Sequence, residues 1–132
     1  MQYIDKLAWI YLVDQHILST RSKGKDTYYF PGGKRELGES DQAALLREIK
    51  EELSVDLQPE TLQFFGQFEA QAHGQVHGLP IKMTCYTAEF QGEIEAASEI
   101  DEFVWLTYKD KELCSPVDQL IFDVLQERGL LA

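Results

Sequence analysis

The alternation of apolar and polar residues predicts a series of strands interrupted by two helices. Residues 7–13 form a near-continuous apolar run, which is typical of a strand buried on both faces. A polar turn at residues 14–16 separates this run from a second predicted strand at residues 17–20. Residues 21–27 predict a polar loop, and the remaining strands are predicted at residues 28–30, 62–72, 81–90 and 103–106.

Residues 40–53 have the period of an amphipathic helix. Their apolar side chains fall within an arc of about 100°, the width of a stripe that faces a core: Leu45, Leu46, Ile49 and Leu53. Ser40 is suited to cap this helix, and Asp41 lies at the positive end of its dipole.

A second helix is predicted near the C-terminus. Ser115 is its N-cap, Pro116 takes the first helical position, and Asp118 completes an S-x-x-D capping box. Gly129 ends the helix, whose apolar stripe is Val117, Leu120, Ile121, Val124 and Leu125. Because no repeat, low-complexity tract or linker divides the chain, we expect one layered α/β or α+β domain over residues 1–132.

The composition is that of a soluble globular protein. The chain has 132 residues, of which 44% are hydrophobic and 27% charged. The run at residues 7–13 is too short to cross a bilayer, and no signal peptide is recognisable, so we expect a cytoplasmic protein without a membrane partner. Cys85 and Cys114 are expected to be reduced core residues, and Trp9 and Trp105 to lie in the core.

The charges are unevenly distributed along the chain. A net charge of −11 argues against a broad DNA or RNA footprint, which requires a basic surface. Residues 21–35 carry five basic side chains and one acidic, whereas residues 36–60 carry eight carboxylates and two basic groups. This pattern suits a divalent cation with a small polyphosphate, although a solvated loop followed by a solvated helix face would look the same.

Three glutamates of the first helix point to a metal site. Glu48, Glu51 and Glu52 are spaced i, i+3, i+4, so they share one face with Cβ atoms about 5–6 Å apart. Three like charges at the border of an apolar stripe cost stability unless a cation lies among them. Oxygen ligands without Cys or His favour Mg²⁺ or Mn²⁺ over Zn²⁺. An ordinary exposed acidic face is the alternative.

The sequence around these glutamates resembles the Nudix box, G-x5-E-x7-R-E-U-x-E-E-x-G-U, where U is a bulky aliphatic residue. Here it reads Gly33, five residues, Glu39, seven residues, and then REIKEELSV from Arg47 to Val55. Every defined position matches except the late glycine, which is Ser54. The flanking segments YFPGGK at residues 29–34 and EIDEFVWL at residues 99–106 are also similar to the family.

The resemblance implies an α/β/α sandwich with a mixed central sheet and a loop-helix-loop catalytic motif. It implies Mg²⁺-dependent hydrolysis of a nucleoside diphosphate linked to another group, with Mn²⁺ as a substitute. Glu48, Glu51 and Glu52 would bind the metal, and Arg47 would orient Glu48. Glu39 would support the site or reach the metal through water, and the backbone at residues 32–33 would shape the loop beside the phosphates.

Other candidate residues rest on position alone. Glu99 is our first candidate for a further ligand or the general base, ahead of Glu95 and Glu102. Arg21 is our first candidate for substrate contact in the polar loop, ahead of the two lysines there. Phe30 and Tyr28 are candidates for stacking on a base, and Lys34 for substrate contact, while one of Tyr29 and Phe30 is expected to face the core. His73 and His77 are expected to be loop residues.

The small size of the chain favours a nucleoside triphosphate as substrate, either a normal nucleotide or an oxidised one removed in housecleaning. ADP-ribose or a nucleotide sugar is the alternative substrate. The alternative of another class is a nucleotide-sensing domain that retains the fold without catalysis, but three crowded carboxylates disfavour it. RNA 5′ ends are disfavoured by the acidic charge. Monomer and homodimer are equally compatible with the sequence.

Overall fold

The secondary structure is taken from a computed structural model that describes residues 3–71 and 79–132. Helix α1 spans Asp41–Leu53 and helix α2 spans Pro116–Glu127, with short 3₁₀ helices at Pro59–Thr61 and Tyr108–Leu113. The strands are β1 (Ile4–Trp9), β2 (Leu12–Val13), β3 (His16–Ser22), β4 (Tyr28–Tyr29), β5 (Gly32–Lys34), β6 (Asp56–Leu57), β7 (Gln63–Gln71), β8 (Pro80–Thr87), β9 (Phe90–Gln91) and β10 (Ile100–Leu106). His73 and His77 lie outside the described residues.

A four-stranded mixed sheet forms the centre of the molecule, in the order β5-β1-β8-β7. Strands β1 and β8 are parallel, with Ile4 opposite Ile81 and Trp9 opposite Tyr86, whereas the other two pairs are antiparallel. A second sheet has the order β10-β3-β2, with β4 added to β3, and β6 pairs with β9. The mixed central sheet predicted from the resemblance is confirmed.

The side chains of β1 alternate between two hydrophobic cores. Leu7 and Trp9 pack with the buried face of α1, whereas Ala8 and Ile10 pack with α2 on the other side of the sheet. The sheet is therefore covered by one helix on each face, which confirms the α/β/α sandwich. Helix α1 buries Leu45, Ile49 and Leu53 as its spacing predicts.

Several strand boundaries differ from the prediction. Residues 7–13 are not one strand, because β1 ends at Trp9 and β2 pairs with β3 in the second sheet. Strand β3 continues to Ser22, so Arg21 lies in a strand and not in a loop. Residues 81–90 are divided into β8 and β9, and β10 begins three residues earlier than predicted. The short strands β5 and β6 were not predicted.

The predicted N-cap of α1 is confirmed, whereas the predicted capping box of α2 is wrong. The Ser40 side chain accepts a hydrogen bond from the Ala43 backbone N–H, as expected of an N-cap. Ser115 is the N-cap residue of α2 and Pro116 its first residue, but the Ser115 side chain makes no capping hydrogen bond. Asp118 is instead fully buried and accepts from the Phe30 backbone N–H at 2.8 Å. The S-x-x-D box is therefore wrong.

The burial of individual residues also corrects the prediction. Trp9, Cys85 and Cys114 are buried as expected, and both cysteines are free thiols. Trp105 and Leu120 are 38% and 43% exposed, so their assignment to the core is wrong. On α2, Phe122 is fully buried in the core, whereas Leu120 is not. No helix within the described residues is long and apolar enough to span a membrane.

Candidate active site

One face of α1 lines an acidic groove of about 260 Å³. Glu48, Glu51 and Glu52 line it from the helix, and Glu99 lines it from the loop before β10. That loop is held beside the groove because the Lys23 backbone N–H donates to the Glu99 carbonyl at 2.8 Å. The structure therefore brings the three box glutamates and Glu99 together, although Glu99 is 47 positions or more from each of them.

Two adjacent glycines bring β5 against the helix. The Gly32 backbone N–H donates to Glu52 Oε1 at 3.0 Å. Gly32 has φ of +143°, and a Cβ there would lie 2.0 Å from the Leu7 carbonyl oxygen, so no other residue fits. A Cβ at Gly33 would lie 2.3 Å from Glu48 Oε2. Both glycines thus permit the backbone to contact the acidic face of α1.

Arg47 is the centre of an ion-pair network. It bonds both carboxylate oxygens of Glu39 at 2.8 and 2.9 Å, and its Nη1 donates to Glu48 Oε1 at 3.0 Å. These hydrogen bonds from Arg47, with the Glu36 backbone N–H, lower the pKa of Glu39 to about 2. Glu39 is paired with Arg47 and is not among the residues that line the groove.

Two of the carboxylates in the groove, Glu48 and Glu52, resist ionisation. Burial raises the pKa of Glu52 to about 8, and the neighbouring charges of Glu48 and Glu51 act in the same direction. Burial also raises the pKa of Glu48, in spite of the opposing contact with Arg47. A bound cation would favour the ionised forms of both groups.

The donor set suits a hard divalent cation, since it consists of carboxylates without His or Cys. Among residues 3–71 and 79–132, no three such side chains converge closely enough to hold an ion as they stand. Two of them are directed elsewhere by their hydrogen bonds, Glu48 to Arg47 and Glu52 to Gly32. The residues present fit a metal of this type in their ligand chemistry, and Glu48 and Glu52 would have to give up these hydrogen bonds to bind it.

The rivals of Glu99 lie elsewhere. Glu102 accepts from Arg21 at 2.8 Å and from the Tyr28 hydroxyl at 3.0 Å, and the hydrogen bond from Arg21 lowers its pKa. Glu95 is exposed and does not line the acidic groove. Among the three candidates, the structure brings only Glu99 to the groove.

Arg21 is not directed toward the acidic groove. Its guanidinium pairs with Asp101 at 2.6 Å and with Glu102 at 2.8 Å, and it also donates to the Lys25 carbonyl. The next residue of β3, Ser22, points to the opposite face and lines the groove. Arg21 therefore does not line the groove, although it belongs to the basic segment next to the acidic one.

A second cavity of about 290 Å³ adjoins the groove, and we call it the side cavity. Glu52, Ser22 and Ile100 line both. The other walls of the side cavity are both polar and apolar and come from both sheets and the start of α2: Ile4, Lys6, Leu7, Thr20, Tyr29, Phe30, Gly32, Gly33, Lys34, Ile81, Met83, Ser115, Val117 and Asp118.

The two neighbouring aromatic residues in the wall differ in burial. Phe30 is 3% exposed and stacks on Phe122 with ring centroids 5.7 Å apart, so it is the core residue of the pair. Tyr29 is half-buried and has the Lys6 ammonium 5.3 Å from its ring centroid. A flat ligand in the side cavity would therefore have Tyr29 as its more accessible aromatic neighbour.

Sequence reasoning missed Lys6 and Asp118. Lys6 belongs to β1, one residue before the apolar run, where its position has no distinctive pattern. Asp118 was assigned to a cap because its spacing from Ser115 fits one equally well. Neither could be placed without the tertiary structure, because β1 and α2 are more than 100 residues apart.

An α/β/α sandwich with an acidic helix face, a two-glycine approach and an adjoining cavity is an arrangement suited to an enzyme of phosphate compounds. A family model described as NUDIX domain matches residues 6–125. The chain belongs to the Nudix family, and it is a hydrolase that acts on phosphoric anhydride bonds. Nudix hydrolases generally use divalent metal ions and small nucleotide substrates.

Solved structures show the same fold. The E. coli ORF135 protein is 26% identical with a TM-score of 0.76, covering 96% of this chain and 91% of that one. A MutT protein from Methanosarcina mazei Go1 is 16% identical with a TM-score of 0.73, covering 96% and 95%. A UDP-X diphosphatase is 17% identical with a TM-score of 0.74, covering 98% and 64%. Comparison with curated proteins gives no significant match.

Proposed function

We propose that this chain, as a single domain over residues 1–132, is a Mg²⁺-dependent pyrophosphohydrolase of nucleoside triphosphates. The observation that carries the proposal is the junction of two cavities at Glu52. An aromatic-lined side cavity of about 290 Å³ is close to the lower limit of ordinary ligand pockets, about 300 Å³, and suits one nucleoside. The adjoining acidic groove suits a chain of phosphates with divalent cations.

The metal-binding residues in this proposal are Glu48, Glu51 and Glu52. Glu39 acts through Arg47, which holds Glu48 in place by the contact at 3.0 Å. A divalent cation at this site supplies neutralisation of phosphate charge and acidification of water. Mn²⁺ has the same preference for oxygen ligands and should substitute.

The remaining steps belong to side chains and backbone of this chain. Glu99 is positioned to accept a proton from the attacking water, since it is exposed in the groove and lies opposite the helix face. The backbone at Gly32 and Gly33 approaches the phosphates closely, because neither residue carries a Cβ. Lys34 provides a cation at the side cavity, and Tyr29 and Phe30 form its aromatic wall.

The experiment is a product analysis on a nucleotide panel: the normal and oxidised nucleoside triphosphates, ADP-ribose and a nucleotide sugar. We expect a triphosphate to give the monophosphate and pyrophosphate with Mg²⁺ or Mn²⁺, and no turnover in excess chelator. Turnover of ADP-ribose or the nucleotide sugar alone would replace the substrate assignment. Tight nucleotide binding without turnover under any metal condition would identify a sensing domain instead.

The general base is tested separately with Glu99→Gln, using Glu95→Gln as the matched control. We expect Glu99→Gln to lower kcat by about a hundredfold, within the range of general base catalysis. Glu95→Gln should leave kcat unchanged, because Glu95 does not line the groove. Normal activity of Glu99→Gln would remove Glu99 from the mechanism.

A further inference from the structure

Strand β10 carries an extra residue next to the acidic groove. In its antiparallel pairing with β3, Ile100 lies opposite Ser22 and Glu102 lies opposite Arg21, and Asp101 is the extra residue between these two pairs. Two residues of β10, Asp101 and Glu102, therefore oppose the single residue Arg21, which is the arrangement of a β-bulge. Bulges are frequent next to active sites, where they change the direction of a side chain.

The bulge decides which residues of β10 face the groove. Residues that lie opposite each other on paired strands share a face of the sheet. Ser22 and Arg21 are consecutive and point to opposite faces, and so do their partners Ile100 and Glu102. In a regular strand, residues two positions apart would share a face. Without the extra residue, Ile100, which lines the groove, would thus turn to the other face of the sheet.

Arg21 bonds both carboxylates of the bulge. Its Nη2 donates to Asp101 Oδ2 at 2.6 Å and to Glu102 Oε2 at 2.8 Å, and the Tyr28 hydroxyl donates to the second oxygen of Glu102 at 3.0 Å. Adjacent residues of a regular strand point to opposite faces, so the bulge is what brings both carboxylates to one guanidinium. Without Arg21 the two negative charges would repel each other, and regular alternation would separate them.

The loop that carries Glu99 is anchored at both ends. At one end, the backbone N–H groups of Glu95 and Ala97 donate to carbonyls in the last turn of α1, both at 2.9 Å. At the other end, the Lys23 backbone N–H donates to the Glu99 carbonyl at 2.8 Å. Because Lys23 follows Arg21 by two residues, this second contact depends on the register that β3 and β10 adopt at the bulge.

We propose that Arg21 is a positioning residue: by bonding both carboxylates of the bulge, it fixes the register of β10 and so holds Glu99 and Ile100 at the groove. This inference rests on the proposed function, in which Glu99 is the general base. Arg21 does not line the groove and acts through the backbone of β10. Its replacement should reduce kcat and leave KM unchanged, because the proposed substrate contacts Tyr29 and Lys34 belong to β4 and β5.

The experiment compares Arg21→Met with Arg21→Lys at saturating Mg²⁺, using the triphosphate of the nucleotide panel that turns over fastest. We expect Arg21→Met to lower kcat by about tenfold and to change KM by less than about twofold, since displacement of a catalytic group by about 1 Å is costly. Arg21→Lys should restore part of kcat, because an ammonium keeps the charge but lacks the planar fork of a guanidinium. Both variants should fold, since exposed ion pairs contribute little to stability.

Lys111→Met is the matched control. Lys111 bonds Asp123 at 2.9 Å and the Tyr108 hydroxyl at 3.2 Å, so it belongs to a network of a cation, a carboxylate and a tyrosine like that of Arg21. It lines neither the acidic groove nor the side cavity, and its substitution should leave kcat and KM unchanged. Equal losses in Arg21→Met and Lys111→Met would attribute the effect to lost surface charge and would overturn the proposal.

A double-mutant cycle tests whether Arg21 acts through Glu99. If it does, Arg21→Met should add little loss of kcat in a Glu99→Gln background. Additive losses from the two substitutions would show that Arg21 acts by another route, and the positioning role would be wrong.

Amide hydrogen exchange reports the position of Glu99 without any activity. In Arg21→Met, the Lys23 N–H should lose its protection by about tenfold or more as its bond to the Glu99 carbonyl opens, whereas the Leu18 N–H, bonded to the Tyr11 carbonyl from the same strand, should keep its protection. Unchanged protection at Lys23 overturns the proposal even if triphosphates are hydrolysed. Lost protection at Lys23 alone supports it even if Glu99→Gln is fully active, in which case only the role of Glu99 as general base fails.

Discussion

Glu52 is the residue at which the two cavities meet. It accepts a backbone hydrogen bond from β5, it lines both the acidic groove and the side cavity, and its raised pKa reflects burial. Its ionised form is half-buried beside two other carboxylates, so a cation in the groove would favour that form.

Glu52→Gln is expected to reduce turnover by about a hundredfold or more, since electrostatic assistance by a metal is worth several kcal/mol and about 1.4 kcal/mol is tenfold in rate. The free energy of unfolding without metal should not fall, because the amide oxygen can still accept from Gly32 and one repelling charge is removed. Turnover and urea unfolding on the same preparation provide the measurement.

Glu60→Gln is a suitable control for Glu52→Gln, because Glu60 is exposed and lies outside the acidic groove. It should be unchanged in both assays. If Glu52→Gln lowers the free energy of unfolding but leaves turnover per folded molecule unchanged, Glu52 is a structural residue.

Asp118 should make stability depend on pH. Burial raises its pKa from 3.8 to about 7, so the unfolded chain ionises before the folded protein does. The resulting destabilisation is absent below about pH 4, grows between the two pKa values and is complete above the folded one. Asp118→Asn should therefore gain stability relative to the wild type at pH 8, by up to a few kcal/mol, and little at pH 4.

Asp123→Asn, on the same helix, should change stability with pH in the opposite direction to Asp118→Asn. Hydrogen bonds from Lys111 and Tyr108 lower the pKa of Asp123, so its ionised form favours the folded state. This variant should lose stability at pH 8 where Asp118→Asn gains it. Thermal unfolding of both variants across pH 4–8 gives the comparison, and parallel behaviour of the two would contradict the assignment.

The positions of some site residues could be predicted from the sequence alone, whereas those of others could not. Glu48, Glu51 and Glu52 share a face because helical spacing is local, and the structure shows them there. Arg21 was expected at the substrate because it is basic, but its charge is taken up by Asp101 and Glu102 across β10. Lys6 and Asp118 meet only through tertiary packing, which no local pattern encodes.

At the scale of elements, the conformation at the end of α1 shows how the helix ends without the glycine of the Nudix box. Ser54 stands where the box has glycine, and it adopts the left-handed conformation with φ of 65° while its N–H donates to the Lys50 carbonyl. The exit turn is therefore retained at the cost of an unfavourable backbone conformation.

Ser54→Gly should raise the free energy of unfolding by about 0.5–1 kcal/mol, because glycine adopts this conformation without a Cβ penalty. Ser54→Ala removes the hydroxyl but keeps the Cβ, and it should give no gain. Urea unfolding midpoints distinguish the two. A gain in both variants would attribute the effect to the hydroxyl and not to the backbone.

The approach of β5 to α1 offers a second prediction at this scale. Gly33→Ala would place a methyl group 2.3 Å from the present position of Glu48 Oε2, so the carboxylate must move. We expect activity to fall by about tenfold or more, since misplacement by about 1 Å is costly in catalysis.

A double-mutant cycle locates the cause of that loss. If Gly33→Ala acts by displacing Glu48, it should add little loss in a Glu48→Ala background. Full additivity of the two losses would mean that the methyl group disturbs the site by another route. Steady-state kinetics at saturating Mg²⁺ supplies the four values.

The helices were predicted more closely than the strands for a physical reason. The period and the Ser40 cap of α1 are local signals, and the observed helix begins one residue after the predicted cap. Strand β5 was missed because glycine has low strand propensity, and it forms only because β1 offers hydrogen bonds beside it. The single apolar run at residues 7–13 likewise could not reveal that its two halves join different sheets.

At the scale of the whole molecule, the central sheet places both cavities. Strand β1 has β5 on one side and β8 on the other, so Lys6 and the glycines of β5 are neighbours although about 27 residues separate them. Family resemblance implied the mixed sheet and the sandwich. Strand register, the union of the two cavities and the position of α2 came only from the structure.

The parallel pairing of β1 with β8 also affects how the chain can fold while it is being synthesised. The first strand of the chain finds its neighbour about 77 residues later, so a ribosome must release residue 87 before the sheet can close. Until then, α1 can pack on only part of the surface that buries Leu45, Ile49 and Leu53. These apolar side chains therefore stay partly exposed to solvent. Contacts of such long sequence separation slow folding. We therefore expect nascent chains to depend on protection from aggregation until β8 emerges.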